Sequence, residues 1–124
     1  MEKDLFNHEL TRRIIGCLFE SYKQLGYGYQ EKYYQRSFAL KLTEQGIPYK
    51  RELKRNILVN NRIIGRYFVD FLIDDQVAVE MKVAEDFYQT HTNQLLAYLK
   101  SYNIKIGILA IITLKGIKVK RYVN

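Results

Sequence analysis

The stretch VAVEMKV, residues 77–83, decides the fold, because it combines the apolar residues of a core strand with a carboxylate and an ammonium group. Side chains of a strand alternate between its two faces. Glu80 and Lys82 therefore share one face, and the larger apolar side chains share the other. Charges in a core strand are costly unless they are paired or used in a site. The polar face of this strand is therefore expected to line a functional site.

A second carboxylate, Asp70, lies in the apolar strand predicted over residues 62–73. The residues Asp74-Asp75-Gln76 predict a tight turn. Antiparallel pairing about this turn places Asp70 opposite Glu80, where cross-strand neighbours are about 5 Å apart. Two carboxylates this close repel each other and are tolerated when a divalent cation or a proton lies between them.

The chemistry of Asp70, Glu80 and Lys82 favours a metal site. Two carboxylates, a backbone carbonyl and waters are the oxygen ligands that Mg²⁺ or Mn²⁺ prefers. Lys82, about 6.7 Å further along the strand, would orient or deprotonate a water, or stabilise developing negative charge. The alternative is a structural ion-pair network of Asp70, Glu80 and Lys82, and the spacing alone leaves both readings open.

The rest of the chain predicts a mixed α/β domain of order α-α-β-β-β-α-β-β. Apolar residues at helical spacing from Leu10 to Leu25, with Asn7 as the cap, predict the first helix. The third helix joins two strands that could be parallel neighbours through a right-handed crossover. The other helices are predicted over about 31–45 and 88–102, and the strands over about 48–59, 62–73, 77–83, 104–112 and 117–122.

Composition indicates the number of domains, the class of partner and the cellular compartment. A chain of 124 residues predicts one domain, 1–124. The net charge of +7 favours a polyanionic partner, with nucleic acid first. The single cysteine, Cys17, permits no internal disulfide and favours a reducing, cytoplasmic setting. We find no signal peptide and no apolar run near the ~20 residues that span a membrane, so no membrane partner is expected.

The predicted third helix offers further site residues. Gln94 and Tyr98 are four residues apart and share a helical face. Leu95, Leu99 and Tyr102 form the other stripe, which we expect to face the core. A glutamine on the site-facing side can hold a phosphate, a water or the lysine, whereas the alternative for Gln94 is a solvated helix face.

The second helix begins with the segment Gly28-Tyr29-Gln30-Glu31-Lys32-Tyr33-Tyr34, which resembles the signature that names the GxxExxY protein family. That family is placed in the PD-(D/E)XK nuclease-like superfamily, and the resemblance covers nearly the whole chain. Asp70 stands where that superfamily has its first metal aspartate, and Glu80-Met81-Lys82 stands at the (D/E)XK motif. Val69 precedes Asp70 where the motif has a proline, although that proline is often absent in the superfamily.

The resemblance implies a restriction-endonuclease-like fold, with a mixed β-sheet flanked by helices, and metal-dependent hydrolysis of phosphodiester bonds, in DNA more than in RNA. It implies that Asp70, Glu80 and the backbone carbonyl of Met81 bind Mg²⁺ or Mn²⁺, and that Lys82 positions the attacking water.

Three helical residues complete the implied site. Glu31 resembles the helical acidic residue that many members add, and would hold a second metal or a bridging water; its alternative is a favourable place at a helix N-terminus. Gln94 to Tyr98 resembles the QxxxY motif of RecB-like members, and would fix Lys82 or the scissile phosphate.

Two alternatives to the nuclease remain open. The first is a nucleic-acid-binding module without turnover, and the second is a metal site that acts on a small phosphate ester. A domain this small could also pair as a homodimer, through the tyrosine-rich segment 27–34 or the hairpin 48–66. The basic residues of the hairpin could contact phosphates or be an ordinary solvated edge: Lys50, Arg51, Lys54, Arg55, Arg62 and Arg66.

Overall fold

The computed structural model describes the backbone of residues 2–124 and the side chains from residue 8 onward. Its elements follow the predicted order: α1 (Glu2–Leu25), α2 (Glu31–Glu44), β1 (Tyr49–Val59), β2 (Arg62–Ile73), β3 (Val77–Val83), α3 (Gln89–Tyr102), β4 (Ile106–Thr113) and β5 (Gly116–Val123). Within this part of the chain, no helix is both long and apolar enough to cross a membrane.

The strands form one mixed sheet in the order β1-β2-β3-β4-β5. Strands β3 and β4 are parallel, from Val77 opposite Ile106 to Val83 opposite Ile112, and α3 connects them as predicted. The neighbouring pairs are antiparallel. Every residue of β4 is buried, because helices cover both faces of the sheet centre.

Two apolar cores lie on opposite faces of the sheet. The first packs beneath α1 and α2 and includes Phe38 and Phe71, whose rings meet edge to face at 4.8 Å. The second packs beneath α3. There α3 approaches β4 so closely that a side chain at Gly107 would lie 2.8 Å from Leu99 Cδ1.

The prediction for the core-facing stripe of α3 was wrong at one position. Tyr98 is 3% exposed and belongs to the core with Leu95 and Leu99, whereas Tyr102 is half exposed. Tyr102 lies in the last turn of α3, where its hydroxyl donates to Lys54 O on β1 at 3.1 Å. The helix therefore turns Tyr98 inward, and Tyr102 reaches sideways along the surface.

Two boundaries differ from the prediction by more than one residue. Helix α1 begins at Glu2, ahead of Asn7, whose side chain lies outside the described residues. Strand β4 begins at Ile106 rather than at residue 104, because Ile104 N still bonds to Leu99 O as part of the helix end. Asn103 adopts the left-handed conformation there, with φ 54°, and ends the helix.

A kink interrupts the hairpin of β1 and β2. Cross-strand pairing runs from Arg51 opposite Phe71 to Leu53 opposite Val69, and it skips Glu52 and Asp70 between them. Glu52 has the left-handed φ of 55°. Phe71 belongs to the first core and Val69 to the second, although residues two apart on a regular strand share a face. The kink therefore exchanges the two faces of the hairpin at the position of Asp70.

Substitutions at Glu52 are expected to show what this kink needs. Glu52→Gly should raise the free energy of unfolding by about 0.5–1 kcal/mol, because glycine adopts a left-handed φ without steric cost. Glu52→Val should lower it by about 1–2 kcal/mol, because a branched Cβ crowds that conformation. Urea unfolding followed by circular dichroism measures both.

Lys54→Val provides the control, since Lys54 is exposed in the same strand and is not among the residues with positive φ. It should change the unfolding free energy by less than Glu52→Val does. Equal losses at both positions would mean that the kink places no special demand on residue 52.

Candidate metal centre

The candidate site lies where the ladder between β2 and β3 ends. Their pairing runs from Ile73 opposite Val77 to Phe71 opposite Val79, and the next position brings Asp70 beside Glu80. Here carboxylates replace the main-chain acceptors. Asp70 N donates to Glu80 Oε1 at 3.0 Å, and Met81 N donates to Asp70 Oδ2 at 2.7 Å. The two strands therefore separate around a pair of acidic side chains, each of which holds the other strand's backbone.

Glu80 is one of the most deeply buried charged groups of the described chain, with 1% of its surface exposed. Its Oε2 accepts a hydrogen bond of 2.8 Å from the hydroxyl of Tyr67, and Lys82 Nζ lies 4.0 Å from the same oxygen. Burial, and then the charge of Glu80, raise the pKa of Tyr67. Tyr67 therefore stays a proton donor to this carboxylate across the physiological pH range.

Sequence reasoning missed Tyr67. Strict alternation along β2 places its side chain on the same face as Phe71, away from the face that Asp70 and Glu80 share. The kink reverses this assignment and turns Tyr67 into the core beneath α3, where it reaches Glu80. The sequence carries no signal for this reversal, because the residue with the left-handed φ is a glutamate and not a glycine.

Asp70 is partly buried, and its acidity is strongly altered. Burial, the charge of Glu80 and a hydrogen bond between the two carboxyl groups raise the pKa of Asp70 to about 8, against smaller lowering effects of Met81 N–H and Lys82. At neutral pH, one proton therefore sits on this pair in the protein without a cation. The site is short of positive charge, and a divalent cation would supply it.

The donor set fits Mg²⁺ or Mn²⁺. Both side chains offer oxygen, and Mg²⁺ is commonly held by one or two carboxylates while it keeps several waters. Among the described residues, no group of three or more His, Cys, Asp or Glu side chains could enclose a metal ion. A cation at Asp70 and Glu80 would therefore rest on two carboxylates and on oxygens that are not acidic side chains.

Glu31 comes to the same edge of the sheet from α2. Its Oε1 accepts a hydrogen bond of 3.0 Å from Val83 N, one residue beyond Lys82. The turn before α2 is fixed by Gly28, with a positive φ of 116°, and by Tyr34, whose buried hydroxyl donates to Gly26 O at 2.5 Å. The three residues thus have separate roles. Gly28 allows the tight turn, Glu31 contacts β3, and Tyr34 anchors the turn through Gly26 O.

The two α3 residues differ in their environments. The Tyr98 ring packs edge to face on Tyr67, with centroids 6.5 Å apart, so it supports the tyrosine that donates to Glu80. Burial raises the pKa of Tyr98. Gln94 is exposed, and within the described part of the chain no hydrogen bond joins it to the carboxylates or to Lys82.

Three of the six basic hairpin residues have partners within the protein. Lys50 pairs with Asp75 at 3.1 Å, and Arg55 Nε donates to Ser101 Oγ at 2.8 Å. Arg51 lies over the Phe71 ring and contacts Gln35 at 3.5 Å. In the part of the chain that the structure describes, no hydrogen bond or ion pair engages the side chains of the other three: Lys54, Arg62 and Arg66.

Comparisons with known proteins identify the family and the fold. A family model described as the PD-(D/E)XK nuclease superfamily matches residues 8–121. The crystal structure of a protein named SSO0001 superposes with a TM-score of 0.58 at 20% identity, over 73% of this chain and 48% of that protein. This likeness concerns the fold, and the chain spans about half the length of that protein. No curated protein matches.

The shared proton predicts how stability depends on pH. Folded Asp70, with a pKa of about 8, holds a proton that the unfolded side chain releases near pH 4. The folded state therefore binds more protons between about pH 4 and pH 8, and this group lowers the free energy of unfolding as the pH rises through that window. Asp70→Asn removes the effect, so its stability relative to the wild type should rise with pH, by at most about 1.4 kcal/mol per pH unit.

Urea unfolding in metal-free buffer between pH 4 and pH 9 measures this difference. Asp74→Asn is the control, because Asp74 is also partly buried but lies in the turn after β2, where its carboxylate bonds only to Gln76 among the described side chains. A difference between wild type and Asp70→Asn that stays constant across this window would contradict the shared proton.

Proposed function

This chain belongs to the PD-(D/E)XK nuclease superfamily, and we propose that it is a metal-dependent nuclease that hydrolyses phosphodiester bonds, in DNA rather than in RNA. The GxxExxY segment at residues 28–34 suggests its place within the superfamily. The observation that carries the proposal is the buried pair of Asp70 and Glu80, which lies beside Lys82 where β2 and β3 separate.

In this proposal Asp70, Glu80 and the Met81 backbone carbonyl hold Mg²⁺ or Mn²⁺. When bound, such a cation supplies positive charge to the phosphate and lowers the pKa of water. The protein's own contribution is to keep both carboxylates in place. Each of them accepts a backbone N–H from the neighbouring strand, and Tyr67 holds the second oxygen of Glu80. Tyr67 is thus a positioning residue that acts through Glu80.

Lys82 is the group that meets the substrate. Its side chain is 27% exposed, so the ammonium can reach solvent while it stays 4.0 Å from Glu80. An ammonium beside the carboxylates can orient the attacking water and stabilise the negative charge that develops on the phosphate oxygens. An alanine at this position would leave the carboxylate pair and remove this function.

The helical residues have supporting roles in the proposal. Glu31, held against Val83 N, lies outside the carboxylate pair at the edge of the site, where it would hold a second cation or a bridging water. Tyr98 fixes the ring of Tyr67. Gln94 is exposed on α3 and would contact the phosphate only once substrate is bound.

Cleavage assays with the full chain test the proposal. We expect nicking or degradation of DNA in Mg²⁺ or Mn²⁺ and none in EDTA. Lys82→Ala should lower the rate by about 10²–10³-fold, the typical cost of removing one group that stabilises transition-state charge. Binding of the same DNA in EDTA should change little.

Lys23→Ala, an exposed lysine on α1, is the matched control and should cleave at the wild-type rate. The proposal fails if the wild type binds DNA without any metal-dependent cleavage, which would leave a binding module. It also fails if only small phosphate esters are hydrolysed, or if Lys82→Ala cleaves as fast as the control.

A further inference from the structure

Beyond the kink, residues 53–69 form an arm that extends from the sheet. Strand β2 pairs with β3 only over residues 71–73, so the arm is a ribbon of two strands. Its strands continue to a turn at Asn60-Asn61, where both residues have positive φ. Residues 53–59 span about 23 Å at the usual rise of a strand. The root of the arm is Asp70, so the arm begins at the candidate metal centre.

One face of the arm rests on α3, and the opposite face is open. On the α3 side, Arg55 bonds to Ser101, and Tyr67 and Val69 enter the second core. The open side carries two cross-strand neighbours at each of two positions. Lys54 lies opposite Phe68, and Asn56 lies opposite Arg66. Phe68 is half exposed although it lies only two residues before Asp70.

The end of the arm is apolar and exposed. We call this group the apolar tip, and its side chains are between 37% and 65% exposed: Ile57, Leu58, Val59, Ile63 and Ile64. Contiguous exposed apolar side chains on a protein surface usually mark a contact with another molecule. Within the part of the chain that the structure describes, no element covers these side chains, and they are therefore a candidate contact surface.

The charge of the arm indicates which partner. Residues 53–69 contain four basic residues and no acidic one, and the whole chain carries a net charge of +7. Two arms that meet in a dimer would bring like charges together, whereas a polyanion would neutralise them. Lys54, Arg62 and Arg66 lack side-chain partners within the described residues and are therefore available to phosphates.

We propose that this arm lies in the major groove of duplex DNA. The inference rests on the proposed nuclease function and names its substrate class. A major groove about 12 Å wide admits a two-stranded ribbon, while the major groove of duplex RNA is too narrow for side chains to read. Lys54 and Arg66 contact phosphates along the open face, and the apolar tip packs on base edges and thymine methyl groups. The backbone of the bound duplex then passes the root of the arm, where Asp70 lies.

Fluorescence anisotropy with a labelled 20-base-pair DNA duplex in EDTA tests this, over a series of salt concentrations. The double variant Lys54→Ala/Arg66→Ala should bind about 10–100-fold more weakly, and the slope of log affinity against log salt should fall by about two. Lys118→Ala/Arg121→Ala removes the same charge from β5, at the opposite edge of the sheet, and should retain more affinity. Equal losses of DNA affinity in both double variants would mean that binding depends only on net charge, and would overturn the proposal.

The apolar tip needs its own variant. Ile63→Ser/Ile64→Ser changes two exposed side chains and should weaken duplex binding at least 5-fold, with unchanged circular dichroism and unchanged mass by sedimentation. A wild-type dimer that this variant converts into a monomer would assign the tip to a second copy of the chain. Tighter binding of single-stranded DNA or duplex RNA than of duplex DNA would also overturn the proposal.

Failure here is distinguishable from failure of the nuclease proposal. Binding in EDTA does not need the metal centre, so a protein without cleavage activity can still bind through its arm. Conversely, metal-dependent cleavage that is unchanged in both arm variants would support the nuclease and remove the arm from its substrate site.

Discussion

The structure depends on two acidic side chains placed where two strands part. Between β2 and β3 the main-chain ladder ends after Phe71 and Val79, and from there the Asp70 and Glu80 carboxylates accept the backbone N–H groups. Buried acceptors must be satisfied, and buried charges must be compensated. The fold meets the first demand with hydrogen bonds. It meets the second only in part, since burial and the charge of Glu80 raise the pKa of Asp70 to about 8 and the pair retains a proton at neutral pH. The remaining need for positive charge links this stability problem to the proposed metal-dependent function.

The elements around the pair bring side chains to it from both faces of the sheet. The kink at Glu52 turns Tyr67 towards Glu80, and Tyr98 of α3 packs behind it. From the other side, α2 directs Glu31 to the end of β3. The parallel pairing with β4 holds β3 over its full length, so Glu80 and Lys82 are fixed by the most buried part of the sheet. The arm leaves the sheet at the same kink, and so the candidate site and the arm have a common structural origin.

Much of the site follows from the sequence, because it rests on local rules. Alternation placed Glu80 and Lys82 on one face, and symmetry about the turn at residues 74–76 placed Asp70 beside Glu80, as the structure has it. Tyr67 could not be predicted, because a left-handed glutamate reverses the alternation without any glycine to indicate it. The inward turn of Tyr98 in place of Tyr102, and the partners of Lys50 and Arg55, depend on contacts between residues 25 to 48 positions apart. Such contacts are set by the tertiary fold and not by local pattern.

Calorimetric titration of the full chain with Mn²⁺ at pH 7, in two buffers of different ionisation enthalpy, tests the central claim most directly. We predict that Mn²⁺ binds the wild type and releases close to one proton, because Asp70 must lose its shared proton to accept a cation. Asp70→Ala and Glu80→Ala should each abolish binding. Binding that survives both substitutions, or no binding by the wild type even with a short DNA oligonucleotide present, would contradict the account of this carboxylate pair as a metal centre.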